Sequence, residues 1–361
     1  MGFSLGIIGL PNVGKSTLFN VLSTAKAEVS NYPFCTINPN VGVVTVPDER
    51  LLQVQKIMGS KKAIPTVIEF YDIAGLVKGA HQGEGLGNQF LAQIREVDAV
   101  AHVVRCFASQ EIAHVSGQVN PTSDIETINV ELCLADLVLV EKRLEEARNK
   151  AKAGDKKHLK QADVLQRLKA ALEKGQPARQ VKLVDNEKDY LNDLPLLTLK
   201  PVLYVANTDE SGNLEQVEQI KQLAQATGDK VVSVCAKLET EIAELAAEDA
   251  QAFLKEMGLT EAGLSRLIRT AYELLNLITI FTANQKETRA WTVAQGTKVP
   301  QAAGKIHSDM EQGFIAAEVV HYQDLVSCGS YAGCREKGDL HTEGKNYAIQ
   351  DGDLILVKFV V

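Results

Sequence analysis

The segment Gly9-Leu10-Pro11-Asn12-Val13-Gly14-Lys15-Ser16 constrains this chain more than any other, because it reads G-x-x-x-x-G-K-S directly after the apolar run Leu5-Gly6-Ile7-Ile8. A glycine-bearing loop between a buried strand and a helix turns backbone N–H groups toward one point. The helix behind it adds a positive N-terminus, and the whole favours phosphate. Thr17-Leu18-Phe19-Asn20-Val21-Leu22 supplies the required helical pattern. In such a loop Lys15 reaches the β- and γ-phosphates and the Ser16 hydroxyl holds Mg²⁺. Asn12, Val13, Gly14 and Thr17 complete the expected phosphate contacts. The competing reading is a plain glycine turn, and a strand and a helix on the correct sides weigh against it.

Short apolar runs alternate with helical patterns through the first half. Strands are expected at 4–10, 41–46, 66–72, 99–107, 201–207 and 230–235. This alternation predicts an α/β fold with a mostly parallel sheet, whose ligands gather at the carboxyl ends of the strands. From 125 to about 191 the strand signal stops. Ile128, Leu132, Leu137, Val140 and Leu144 recur at helical spacing, and Leu159, Ala162, Leu165, Leu168 and Leu172 do so after the break Ala153-Gly154-Asp155. Two amphipathic helices and a short turn predict an antiparallel coiled-coil hairpin. Between Glu141 and Lys182, 13 Lys/Arg stand against 6 Asp/Glu, in a chain whose net charge is −8. The basic arm, with Lys156, Lys157 and Lys160 near its tip, reads either as a solvated helix face or as an RNA contact.

After Leu275 the pattern changes again. Strands are expected at 277–283, 288–293, 314–321 and 354–360, with a helix at 300–310, as in a β-grasp module. The expected domains are a nucleotide-binding unit from 1–124 and 200–276, a helical insertion at 125–199 and a terminal unit at 277–361. The longest apolar runs are strand-length and no signal-peptide pattern is visible, so no membrane association is expected. Six scattered cysteines form no C-x-x-C pair, which fits a reduced, cytoplasmic protein. Nothing in the arrangement needs a second copy, so a monomer is expected.

Further motifs fall at strand ends. Asp72-Ile73-Ala74-Gly75 places a carboxylate for Mg²⁺ and a Gly75 N–H for the γ-phosphate. Thr36, in Asn31-Tyr32-Pro33-Phe34-Cys35-Thr36, can offer a hydroxyl to Mg²⁺ and an N–H to the γ-phosphate. Asn207-Thr208-Asp209-Glu210 and Cys235-Ala236-Lys237 stand where P-loop GTPases carry N-K-x-D and S-A-K. Guanine reading needs a short carboxylate in the last position of the first motif. Glu210 is one methylene longer, and Thr208 replaces the lysine. Asn207 can serve either purine, and a shifted register keeps Asp209 near the base, so guanine stays open.

These motifs, with Gly83-Glu84-Gly85-Leu86-Gly87-Asn88 and the terminal module, give the whole chain a resemblance to the YchF subfamily of Obg-like P-loop NTPases. The resemblance implies a P-loop domain, an inserted hairpin and a terminal TGS domain of β-grasp fold. It further implies ATP preferred over GTP, ribosome association centred on the large subunit, and a role around translation or stress responses. A GTPase translation factor and a nucleotide-gated RNA-binding module with little turnover remain the alternatives.

Leu76 stands where Ras-like enzymes place a water-orienting glutamine, and leucine cannot hydrogen-bond water. Slow basal hydrolysis is therefore expected, with His81 or His114 as the group that positions water and His114 preferred. Lys15, Thr36 and Gly75 would stabilise the charge on the transferring phosphoryl group. Asn12 stands where similar enzymes bind potassium, which makes K⁺ a candidate second ion.

Overall fold

β1 (Ser4–Ile8) is buried at every position and leads through the Gly9–Ser16 loop into α1 (Lys15–Thr24). This computed structural model describes residues 3–24, 40–73, 86–109, 112–115, 117–152 and 155–360. The chain continues through β2 (Val41–Thr45), α2 (Glu49–Met58), β3 (Lys62–Ile64), β4 (Val67–Asp72), α3 (Leu86–Glu96) and β5 (Ala99–Cys106). The helices α4 (Pro121–Lys152), α5 (Lys156–Leu172) and α6 (Asp185–Lys188) come next, then β6 (Val202–Thr208), α7 (Leu214–Thr227) and β7 (Lys230–Val234). The first sheet runs β2-β4-β1-β5-β6-β7. All its neighbours pair in parallel except β2, which lies antiparallel on β4. Val/Ile/Leu-rich strands buried on both faces are the mark of such a sheet.

The hairpin grows out of this core. Asn120 caps α4 through Ser123 N (3.1 Å) and Pro121 opens the first turn, where a missing N–H costs nothing. Ile125, Ile128, Leu132 and Ala135 pack into the first core. Further along the same helix Val140, Leu144 and Ala147 pack instead on Val164, Leu165 and Leu168 of α5. Its apolar stripe thus serves two cores in succession. Asp155 caps α5 by accepting from Lys157 N at 2.8 Å. Lys156, Lys157 and Lys160 are exposed beside that turn. Two buried polar contacts fix the root: Asp136 accepts from Leu197 N and Thr198 N at 2.9 and 2.8 Å, and Arg179 pairs with Asp229 at 3.0 Å.

Beyond α8 (Ala236–Glu244), α9 (Ala247–Glu256) and α10 (Gly263–Leu274) a second sheet forms. Its elements are β8 (Leu277–Ala283), β9 (Glu287–Ala294), α11 (Val299–Ile306), α12 (Ser308–Gln312), β10 (Phe314–Val320), α13 (Tyr322–Cys328), α14 (Tyr331–Lys337), β11 (His341–Glu343) and β12 (Leu354–Phe359). The order is β11-β10-β12-β8-β9-β3, with β12 parallel to β8 at the centre, which is β-grasp topology. Val299, Ala302 and Ala303 of α11 cover one face.

The other face departs from the sequence expectation. It is covered by Leu51 and Val54 of α2, packed with Phe281, Ala290, Leu325 and Leu354, and β3 adds a parallel edge strand to β9. A segment from the first half of the chain therefore completes the last sheet. β3 is only three residues long, opens on Lys62 and follows Lys61, which leaves Ala63 and Ile64 as its whole apolar signal. Helices α13 and α14 and strand β11 are also absent from the sequence reading, each being too short to show a period. Among the described residues no helix is long and apolar enough to cross a membrane.

Candidate nucleotide site

Gly9 and Gly14 hold the loop in shapes that other residues resist. Gly9 has φ 153°, and a Cβ there would lie 2.4 Å from Val103 O. Gly14 has φ 95°, and its Cβ would lie 2.2 Å from Asn207 Nδ2. Asn12 adopts φ 63°, a left-handed geometry that asparagine tolerates better than most residues. Lys15 is buried, and its Nζ donates to Leu10 O at 2.7 Å, so the ammonium closes the loop on itself. Burial holds the Lys15 pKa below its ordinary value, against the pull of Asp72. Burial likewise pushes the Asp72 carboxyl up, and Lys15 offsets part of that shift.

The loop borders a cavity of ≈ 1180 Å³. Asn12, Gly14, Lys15, Ser16 and Thr17 line its phosphate end, and Asn207, Thr208, Glu210, Ala236 and Lys237 line the far end. Parallel pairing of β1, β5, β6 and β7 brings these distant segments to one edge of the sheet. Val13 does not line the cavity; its side chain is buried and its carbonyl accepts from Asn207 Nδ2 at 2.9 Å. Asn207 Oδ1 in turn accepts from Ala236 N at 3.1 Å. The asparagine therefore stitches the phosphate loop to α8, and its second amide hydrogen has no acceptor among the described residues.

The carboxylates at the far end are already engaged. Lys237 Nζ donates to Glu210 Oε1 at 3.0 Å, and Asp209 closes a turn by accepting from Ser211 N at 3.1 Å. Sequence reading missed Phe107, Ala108, Ser109 and Ile112, which form the opposite wall. The one available signal was Arg105, a charge near the end of an otherwise apolar strand. It is 1% exposed, stacks 4.5 Å from the Phe107 ring and donates to Phe107 O and Ile112 O at 3.1 and 3.0 Å.

His114 does not line the cavity. Its Nε2 lies 2.9 Å from Asp124 Oδ2, and the two side chains are 4% and 5% exposed. The adjacent Ala113 O accepts from Asn12 Nδ2 at 3.2 Å, which ties this loop to the phosphate loop. Among the described residues nothing donates to the Asn12 side-chain carbonyl. Thr36, Gly75, Leu76 and His81 lie outside the described residues, as does the glycine run 83–85. Ser16 and Asp72 offer hydroxyl and carboxylate oxygen, the hard donors that Mg²⁺ prefers. No described residue donates a hydrogen bond to the Asp72 carboxylate, so the donor set fits the ion.

Comparison with known proteins extends this reading. Residues 277–360 match the YchF-GTPase_C family, described as a protein of unknown function (DUF933). Residues 4–140 match the family described as 50S ribosome-binding GTPase. The chain is 52% identical to a Bacillus subtilis protein named ribosome-binding ATPase YchF, and 50% identical to one of that name from Escherichia coli O157:H7. Both matches cover 100% of each chain. The solved structure of the Schizosaccharomyces pombe YchF GTPase superposes with a TM-score of 0.88 at 37% identity, covering 99% of this chain and 98% of that one. A GTP-binding protein from Pyrococcus horikoshii shares the fold, with a TM-score of 0.63 at 18% identity.

Proposed function

The chain belongs to the YchF family, and from that premise we propose that it is a slow, Mg²⁺-dependent ATPase whose nucleotide state governs a contact with the ribosome. The observation that carries ATP over GTP is the Lys237–Glu210 ion pair at the base end of the cavity. Guanine offers N1–H and a 2-amino group, and both need a carboxylate acceptor. Glu210 Oε1 is tied to Lys237 and Asp209 Oδ1 to its own turn, so guanine would meet a less well matched pair of acceptors than a free, short carboxylate offers. Adenine asks for none, and Asn207 with the Phe107 wall suits it.

At the other end, Lys15 would exchange Leu10 O for phosphate oxygens and stabilise charge on the transferring group. Mg²⁺, held by Ser16 and Asp72 with Thr36, would neutralise charge between the β- and γ-phosphates. Gly75 N–H would meet the γ-phosphate and His114 would orient the water. Asn12 would admit K⁺ beside the phosphates; equal rates in sodium and potassium would remove that ion from the account.

The hairpin is the proposed ribosome arm. Its root is fixed by Asp136 and by the Arg179–Asp229 pair, while its tip exposes Lys156, Lys157 and Lys160. The β-grasp (TGS) module would supply a second contact, and one copy of the chain in the cytoplasm would suffice. Co-sedimentation with 70S ribosomes tests this. Changing the three tip lysines to glutamine should weaken binding about tenfold or more and flatten its salt dependence. Unchanged binding would remove the hairpin contact.

A further inference from the structure

The reading of His114 as the water-orienting group leaves open what orients His114 itself. We infer that Asp124 is its positioning residue, gripping the ring through Nε2, with Arg105 docking the loop that carries it. The inference rests on the proposed role of His114 and extends it to two groups outside the cavity.

The geometry is that of a built pair. The Nε2···Oδ2 distance is 2.9 Å, and both side chains are about 95% buried, whereas a histidine in a solvated loop would be exposed and unheld. Asp124 stands on a fixed element, in the first turn of α4 just inside its Asn120 cap. His114 stands on a segment with no regular structure, residues 112–115, between β5 and α4. Arg105 grips the same segment from β5 through Phe107 O and Ile112 O. Arg105 and Asp124 also attract each other, which supplies a buried counter-charge for the carboxylate. The thiol of Cys106 is pushed up to about 12 by burial, so it adds no charge to the group.

The chemical consequence concerns the ring's tautomer and orientation. A carboxylate on Nε2 keeps the proton there and fixes the plane of the ring. Positive charge developing on the imidazole during hydrolysis would face Asp124, whose negative charge stabilises it. Asn in place of Asp keeps the shape but removes that charge, and can turn the ring to the other tautomer.

The test is steady-state ATPase kinetics on the full-length protein, with ATP affinity and thermal unfolding measured in parallel. Asp124→Asn should lower kcat at least tenfold while KM and ATP affinity stay within about twofold, and Asp124→Glu should recover part of the loss. Adding Asp124→Asn to His114→Ala should cost nothing further. An inactive His114→Ala beside a fully active Asp124→Asn would overturn the inference and leave the His114 reading standing. So would losses that add in the double variant, or an Asp124→Asn rate above wild type. A fully active His114→Ala would overturn the reading of His114, and the inference with it.

Discussion

Arg50 and Asp351, 301 residues apart in sequence, join the two sheets: Arg50 Nη1 lies 2.7 Å from Asp351 Oδ2. The same guanidinium holds Asp48, the cap of α2, at 2.8 Å. Asp351 also accepts from Thr279 N at 2.9 Å, so the contact reaches the central strands of the second sheet. Around it Ser60 Oγ donates to Asn284 O at 2.6 Å, and Thr66 and Thr292 meet through their hydroxyls at 2.6 Å. The segment between β2 and β4 is thus clasped by the terminal module, and β4 ends in Asp72, whose carboxylate interacts with Lys15 of the loop.

Arg50→Ala should therefore destabilise the chain by about 1–2 kcal/mol, the scale of charge-assisted hydrogen bonds in a partly exposed setting. Arg50→Lys should restore less than half, because a point charge cannot reproduce two forked contacts. Urea unfolding of the three proteins measures this, and an unchanged midpoint in Arg50→Ala would refute it.

His102 gives a pH dependence with a definite sign. It is fully buried on β5, its ring 5.6 Å from that of Tyr204, and burial lowers its pKa from 6.5 to about 3, helped by Arg179 and Lys15. The unfolded chain therefore binds the proton first. Stability is complete above pH 6.5 and falls toward pH 3, with a slope of about 1.4 kcal/mol per pH unit from this group alone. Replacing His102 by Gln should flatten the acid limb of the stability–pH curve. A limb of unchanged slope would contradict the assignment.

Gly14→Ala should abolish nucleotide binding. The new methyl would strike the Asn207 amide and break the stitch between Val13 and Ala236, and the φ of 95° would be strained besides. Asn207→Ala should weaken nucleotide binding by a similar route without touching the loop. Calorimetric titration with ATP checks both. Retained affinity in either variant would show that the stitch is dispensable.

Thr208→Lys with Glu210→Asp rebuilds the guanine-reading pattern. The shorter carboxylate escapes Lys237 and can face a base, so GTP affinity should rise at least tenfold relative to ATP. No change in the ratio would mean that the ion pair does not set the preference.

The loop at one end of the cavity was legible because its signature is local: one run of consecutive residues carries the glycines, the lysine and the serine. The parallel sheet was legible from its buried apolar strands. The wall formed by Phe107, Ser109 and Ile112 was not, since those residues carry no period or motif and become a wall only when Arg105 folds the loop back. The clasp of α2 and β3 onto the terminal sheet was equally hidden. Leu51 and Val54 announce an apolar helix face, and nothing in the sequence says which sheet will cover it. His114 was singled out by its loop, while nothing in the sequence pairs it with Asp124, since an acid in a first helical turn is common in any helix.

The most direct measurement is titration of the nucleotide-free protein with fluorescent ATP and GTP analogues in Mg²⁺ and potassium buffer. The account predicts at least tenfold tighter binding of ATP, since Glu210 and Asp209 are both engaged within the protein. Equal or tighter binding of GTP would contradict it and put a GTPase in its place.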